Sequence, residues 1–169
     1  MKLAPTEALI LGIDPGSIKT GFGIVRVTAL GKIEHVTHGM FLLDKKLSLA
    51  LRLRDLALDL KTLLEKYCPT QAVVEDVFVF KNPRSALVLG QARGAILAVL
   101  GMHNVPIFSL SPTAIKSLVA GQGHAQKFQV ARIVALELKI EPPTSQDASD
   151  ALAVALAKAF SATKNSGTV

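Results

Sequence analysis

Apolar residues run almost unbroken through "ALILGID" and return in "GFGIVRVTA" and "KIEHVTHGMF", with only "PGSIKT" and "LG" in between. Short apolar runs bounded by turn residues predict strands, and connections this short predict antiparallel neighbours. The period then changes. From Ser48 to Tyr67, Leu49, Leu53, Leu56, Leu60, Leu63 and Leu64 recur three and four apart, the stripe of an amphipathic helix that Pro69 closes. "QAVVEDVFVF" is apolar on both faces and predicts a buried strand, so helices should cover the sheet on each side.

After a loop at "KNP", "RSALVLGQARGAILAVLGMHN" predicts a long helix whose small residues Gly90, Ala92, Gly94 and Ala95 allow another backbone to come close. "VPIFSL" predicts a strand, and Ser111 followed by Pro112 is a helix start that opens "TAIKSLVA". "GQGHA" breaks the chain before the helix "QKFQVARIVALEL"; "EPPTSQ" is a loop, and "DASDALAVALAKAF" is a last helix, apolar nearly all round. The predicted class is α/β: a five-stranded mixed sheet with helices on both faces, in one domain spanning 1–169. A short N-terminal extension over 1–8 and a loose tail over 161–169 complete the expectation.

The composition narrows what this domain does. The 169 residues are 50% apolar, enough for a full core, and the single cysteine, Cys68, permits no internal disulfide, which suits a cytoplasmic setting. No apolar run reaches the roughly 18 residues of a membrane span, and "MKLAPTEA" lacks the apolar length of a signal peptide. Net charge is +6, which fits either a polyanionic partner or ordinary solubility.

Chemistry is concentrated in acids placed where carboxylates are costly. Asp14 ends the first strand, Glu75 interrupts "AVVEDVF", and Asp147 and Asp150 open the last helix three residues apart, on one face. Plainer readings exist: an Asx turn at Asp14, and a helix cap at Asp147 with Asp150 favouring the positive helix end. Alternation does not decide whether Glu75 or Asp76 points inward. If the strands of Asp14 and Glu75 are neighbours, about 4.8 Å apart, and the last helix crosses their end, all four acids meet. Like charges about 4 Å apart repel by roughly 4 kcal/mol per pair at an effective dielectric near 20, so such a cluster requires a cation. An all-oxygen donor set suits Mg²⁺, which supports phosphodiester hydrolysis.

Other catalytic patterns fail. "GSIKTGFG" has phosphate-loop glycine spacing but places Phe22 and Gly23 where Lys and Ser/Thr are needed, and it joins two strands. No G-x-S-x-G or H-E-x-x-H occurs, and His35, His38, His103 and His124 lack ligand spacing.

Taken together, "LGIDPG", "VVEDVF", "KNPRSALVLGQARG" and "QDASDALAVA" resemble the RuvC family of Holliday junction resolvases over about Leu9 to Ala159. "LGIDPG" is shared with other ribonuclease H-like proteins, whereas "SALVLGQARG" in register with the four acids is specific. The resemblance implies a ribonuclease H-like fold, a homodimer, and metal-dependent paired nicking of four-way DNA junctions with Mg²⁺, for which Mn²⁺ substitutes, alongside a branch-migration helicase. It implies metal-binding, catalytic roles for Asp14, Glu75, Asp147 and Asp150; some members carry histidine at the Asp147 position. Phe78 matches an aromatic that stacks on bases near the crossover, and by pattern alone is a core residue. Lys116 and Lys127 match basic positions important for cleavage, and by composition are surface charges. Lys81, Arg84 and Arg93 are further candidates for phosphate contacts. A related nuclease of ribosomal RNA precursors is the alternative enzyme, and a binding-only protein for branched DNA would not need four acids. An actin-like ATPase requires two such domains.

Overall fold

The structure, a computed structural model, describes residues 7–77 and 82–165. In chain order it contains β1 (Ala8–Asp14), β2 (Lys19–Val27), β3 (Ile33–Leu42), α1 (Leu49–Tyr67), β4 (Gln71–Glu75) and α2 (Pro83–Met102). β5 (Ile107–Leu110), α3 (Pro112–Ala120), α4 (Lys127–Leu138) and α5 (Gln146–Asn165) follow. The strands form one sheet in the order β3-β2-β1-β4-β5. β1 to β3 pair antiparallel, and β4 runs parallel to both β1 and β5, so the sheet is mixed as expected.

Strand alternation sends alternate residues into two separate cores. Ile10 and Val73 point toward α3, α4 and α5, where they meet Ile115, Val134 and Leu152. Leu11, Ile13 and Val74 point the other way, toward Leu56 and Leu60 of α1 and Ile96 and Leu100 of α2. Both faces are therefore covered, which explains why β1 and β4 read as nearly continuous apolar runs.

α5 lies unusually close to the sheet. A Cβ on Gly12 would collide with the Ala151 carbonyl and the Ala155 amide, and one on Gly21 with the Asp147 carbonyl. Two strand glycines thus open the track that lets an alanine-rich helix settle across β1 and β2. Ala151, Leu152, Ala155 and Leu156 of that helix are fully buried.

Two expectations are corrected. β4 ends at Glu75, with Asp76 and Val77 outside the strand, and the rest of "DVFVF", 78–80, lies outside the described residues. Its pairing with β1 stops at Ile13–Val74, because β1 turns at Pro15–Gly16, and β5 ends at Leu110 before the α3 cap. A last bond from the Asp76 amide to the Leu110 carbonyl (2.9 Å) marks the end of available partners. Of the expected loose tail over 161–169, residues 161–165 continue α5 to Asn165, since nothing in "SATKN" breaks a helix, and 166–169 lie outside the described residues.

α2 is the one helix among the described residues that is long and apolar enough, by length and composition, to cross a bilayer. Its inner side packs Ala92, Ile96, Val99 and Leu100 into the core, and its middle carries the ion-paired Arg93.

Candidate functional site

Because β1 and β4 are parallel with Ile13 opposite Val74, the next residues along each strand, Asp14 and Glu75, emerge side by side at the strand ends. α5 crosses this end and adds Asp150. The three carboxylates line a cleft of about 330 Å³ with Lys116 of α3 and Lys127 of α4, floored by Ile115, Val130 and Ala153. Residues 14, 75 and 150 are brought to one place by strand pairing and helix crossing alone.

Burial is the main cause that pushes the Asp14 pKa up to about 8, with the charge of Glu75, a hydrogen bond between the two carboxyls and the charge of Asp150 adding to it. Burial also raises Glu75, as does Asp150, while the hydrogen bond from Asp14 and the charges of Lys127 and Lys116 act in the opposite sense. The two carboxyls hydrogen-bond each other, and both are pushed toward the protonated form, Asp14 up to about 8. Lys127 Nζ stands 2.6 Å from Asp150 Oδ2. Partial burial opposes its charge, but the bond to Asp150 and the charges of Asp150, Asp14 and Glu75 prevail and raise its pKa. The other oxygen of Asp150 accepts from Gln146 Nε2 at 2.9 Å.

Asp76 has a different partner. Arg93 Nη2 donates to Asp76 Oδ1 and to Ser109 Oγ, each at 2.7 Å, and Nε donates to the Glu75 carbonyl at 3.2 Å. This guanidinium joins α2 to the ends of β4 and β5. Arg93, expected as a phosphate contact, thus has partners within the fold through Nη2 and Nε.

Asp147 is half-buried one turn before Asp150, and it is not among the residues lining the cleft. Its backbone is pressed against Gly21 instead. Arg84 is exposed in the first turn of α2, where the Asn82 side chain caps the amides of Arg84 and Ser85. Phe78 and Lys81 lie outside the described residues. Sequence reasoning passed over Gln146 and the structural duty of Arg93; Gln146 at i,i+4 from Asp150 was the available signal.

The donors fit a hard divalent cation: carboxylate oxygens only, in excess of positive charge unless a proton is shared. Among the described residues no three His, Cys, Asp or Glu side chains close on one point as a cage. That is consistent with an ion that retains waters and takes substrate oxygens beside one or two carboxylates.

With this geometry in view, the family comparison is decisive. The profile of the family "Crossover junction endodeoxyribonuclease RuvC" matches residues 10–158. The chain belongs to this family. Among curated RuvC crossover junction endodeoxyribonucleases, the one from Stenotrophomonas maltophilia is 42% identical over 150 residues, covering 89% of this chain and 87% of the relative. That of Hydrogenovibrio crunogenus is 45% identical over 147 residues, covering 87% and 84%. Thermus thermophilus RuvC in complex with a Holliday junction substrate superposes with a TM-score of 0.87 at 29% identity, covering 94% of this chain and 97% of that one. The yeast mitochondrial resolvase Ydc2 shares the fold with a TM-score of 0.67 at 18% identity. This RuvC-family chain therefore has the ribonuclease H-like architecture, and nucleases of its family are metal-dependent.

Proposed function

We propose that the protein resolves four-way DNA junctions by paired, symmetric nicks, using Mg²⁺ held by Asp14, Glu75 and Asp150. The observation that carries this reading is the convergence of those three acids in one cleft with Lys116 and Lys127. Asp147 joins the ligand set on the strength of its match to the family motif. When bound, the cation polarises the scissile phosphate, activates a water and stabilises the leaving oxygen; Mn²⁺ serves in its place.

The chain's own residues supply the rest. Glu75 and Asp14, rigid at the ends of paired strands, orient the ligand oxygens, and deprotonation readies them for the cation. Lys116 and Lys127 face the acids across the cleft and neutralise phosphate charge. Arg84 extends the phosphate track, and Phe78 and Lys81, between β4 and α2, contact the DNA near the crossover. Arg93 positions the β4 end.

A junction with two related cleavage points calls for a twofold protein. We assign the dimer contact to the outer face of α2, where Leu87 (65% exposed) and Met102 (73%) flank Gly90 and Gly94. Nothing lies within 4 Å of a Cβ at either glycine, leaving room for a partner backbone. A branch-migration helicase complex acts beside the dimer, in the cytoplasm.

The test incubates purified protein with labelled four-way junction, linear duplex and structured RNA, in Mg²⁺ or a chelator, beside Asp14→Asn and Glu75→Gln. Symmetric junction nicks are expected only with metal, and each variant loses at least about 100-fold in rate while still binding the junction. Equal cutting of RNA, or binding without cutting, would overturn the proposal.

A further inference from the structure

Asp150 is held by a cation of the chain itself. Lys116 and Lys127 line the same cleft as the three acids. Lys127 makes the direct contact, 2.6 Å from Asp150 Oδ2. It does so against its local preference. As the first residue of α4 it stands at the positive end of a helix, where a cation is disfavoured. The helix start is nonetheless fixed without it, by the Gln126 amide donating to Gln129 Oε1 at 2.8 Å and by buried Ala125 and Val130 on either side. A lysine held at that position by its surroundings, and reaching 23 residues along the chain to an acid, has a role beyond capping.

Building on the metal-dependent reading above, we propose that Lys127 and a divalent cation compete for Asp150: the ammonium pairs with the carboxylate when no cation is bound, and a bound cation displaces it. The displaced ammonium is then free to meet the incoming phosphate. A cation and Lys127 compete for one carboxylate, so each weakens the other's hold. The side chain of Lys127 is 64% exposed while that of Asp150 is 19% exposed, which leaves the lysine free to swing outward as the acid stays fixed.

The test needs no DNA and no turnover. Mn²⁺ is titrated into wild-type, Lys127→Met, Lys127→Arg and Asp14→Asn protein, with free Mn²⁺ read by its electron paramagnetic resonance signal and thermal unfolding followed in parallel. Lys127→Met should bind Mn²⁺ about 2- to 5-fold more tightly than wild type, the range expected from losing one partly exposed ion pair, and Lys127→Arg should match wild type. Metal-free Lys127→Met should melt below wild type, and the gap should close at saturating Mn²⁺. Unchanged or weaker Mn²⁺ binding in Lys127→Met, or a melting gap that persists with Mn²⁺, would overturn the counter-ion role while leaving the metal site standing. Absence of saturable binding that depends on Asp14 would instead remove the metal site, and the counter-ion role with it.

Discussion

Arg93 Nη2 lies 2.7 Å from Asp76 Oδ1, and that bond separates the roles of two adjacent acids. Glu75 is hydrogen-bonded to Asp14, whereas Asp76 is neutralised by a guanidinium that also ties β4 to β5 through Ser109. Replacing Arg93 with Met should destabilise the fold by about 1–2 kcal/mol, since the pair is partly exposed but its hydrogen bonds are shared among three groups. Junction cleavage should fall as well, because the Glu75 carbonyl loses its donor. Lys at this position should restore little, as it cannot reproduce the fork. Urea unfolding beside a cleavage assay checks both.

The second prediction concerns pH. Asp14 in the folded protein holds its proton to about pH 8, against 3.8 for an ordinary aspartate. Through this group the folded state binds more protons than the unfolded one across that interval, so the Asp14 contribution to stability is full below pH 3.8 and is lost as pH rises toward 8. Because the ligands must be deprotonated, apparent affinity for a divalent cation should rise over the same interval. Asp14→Asn should flatten the stability trend. Melting temperatures at a series of pH values, with chelator or with Mn²⁺, provide the measurement; a flat wild-type profile in chelator would refute it.

Gly12 permits the approach of α5 to β1. Gly12→Val should cost about 1–3 kcal/mol by forcing the helix off the sheet, and should reduce cleavage by moving Asp150 away from Asp14. Denaturant midpoints and metal titrations separate loss of fold from loss of site. Wild-type stability in this variant would show that the helix tolerates displacement.

A fourth prediction tests the dimer face. Leu87→Asp should yield monomers by light scattering, with the monomer's own stability changed by no more than about 0.5 kcal/mol, because the side chain is exposed. A dimer that survives this change would place the interface elsewhere.

Much of this architecture is legible in residue order. The turn-bounded apolar runs of β1 to β3 and the leucine stripe of α1 each answer to one local rule, and the structure keeps them. Where the rule depends on a partner, reading stops early. "AVVEDV" has strand character throughout, yet the strand stops at Glu75, where β1 and β5 no longer extend beside it. Glu75 and Asp76 were indistinguishable by alternation, since the choice rests on Arg93, 17 residues beyond Asp76. Asp150 and Asp147 were grouped by helical spacing, but the close seating of α5 on Gly21 sets which of them lines the cleft. Gly12 and Gly21, together with Ala151 and Ala155, carried that packing signal in the sequence; its meaning depends on a crossing that no local window contains.

The three acids come from β1, β4 and α5, so the cleft is assembled from segments near both ends of the described chain. A growing polypeptide can complete Asp14 and Glu75 and still have no third carboxylate until α5 has left the ribosome and seated itself. The cleft is therefore complete only once the last helix has seated across β1 and β2.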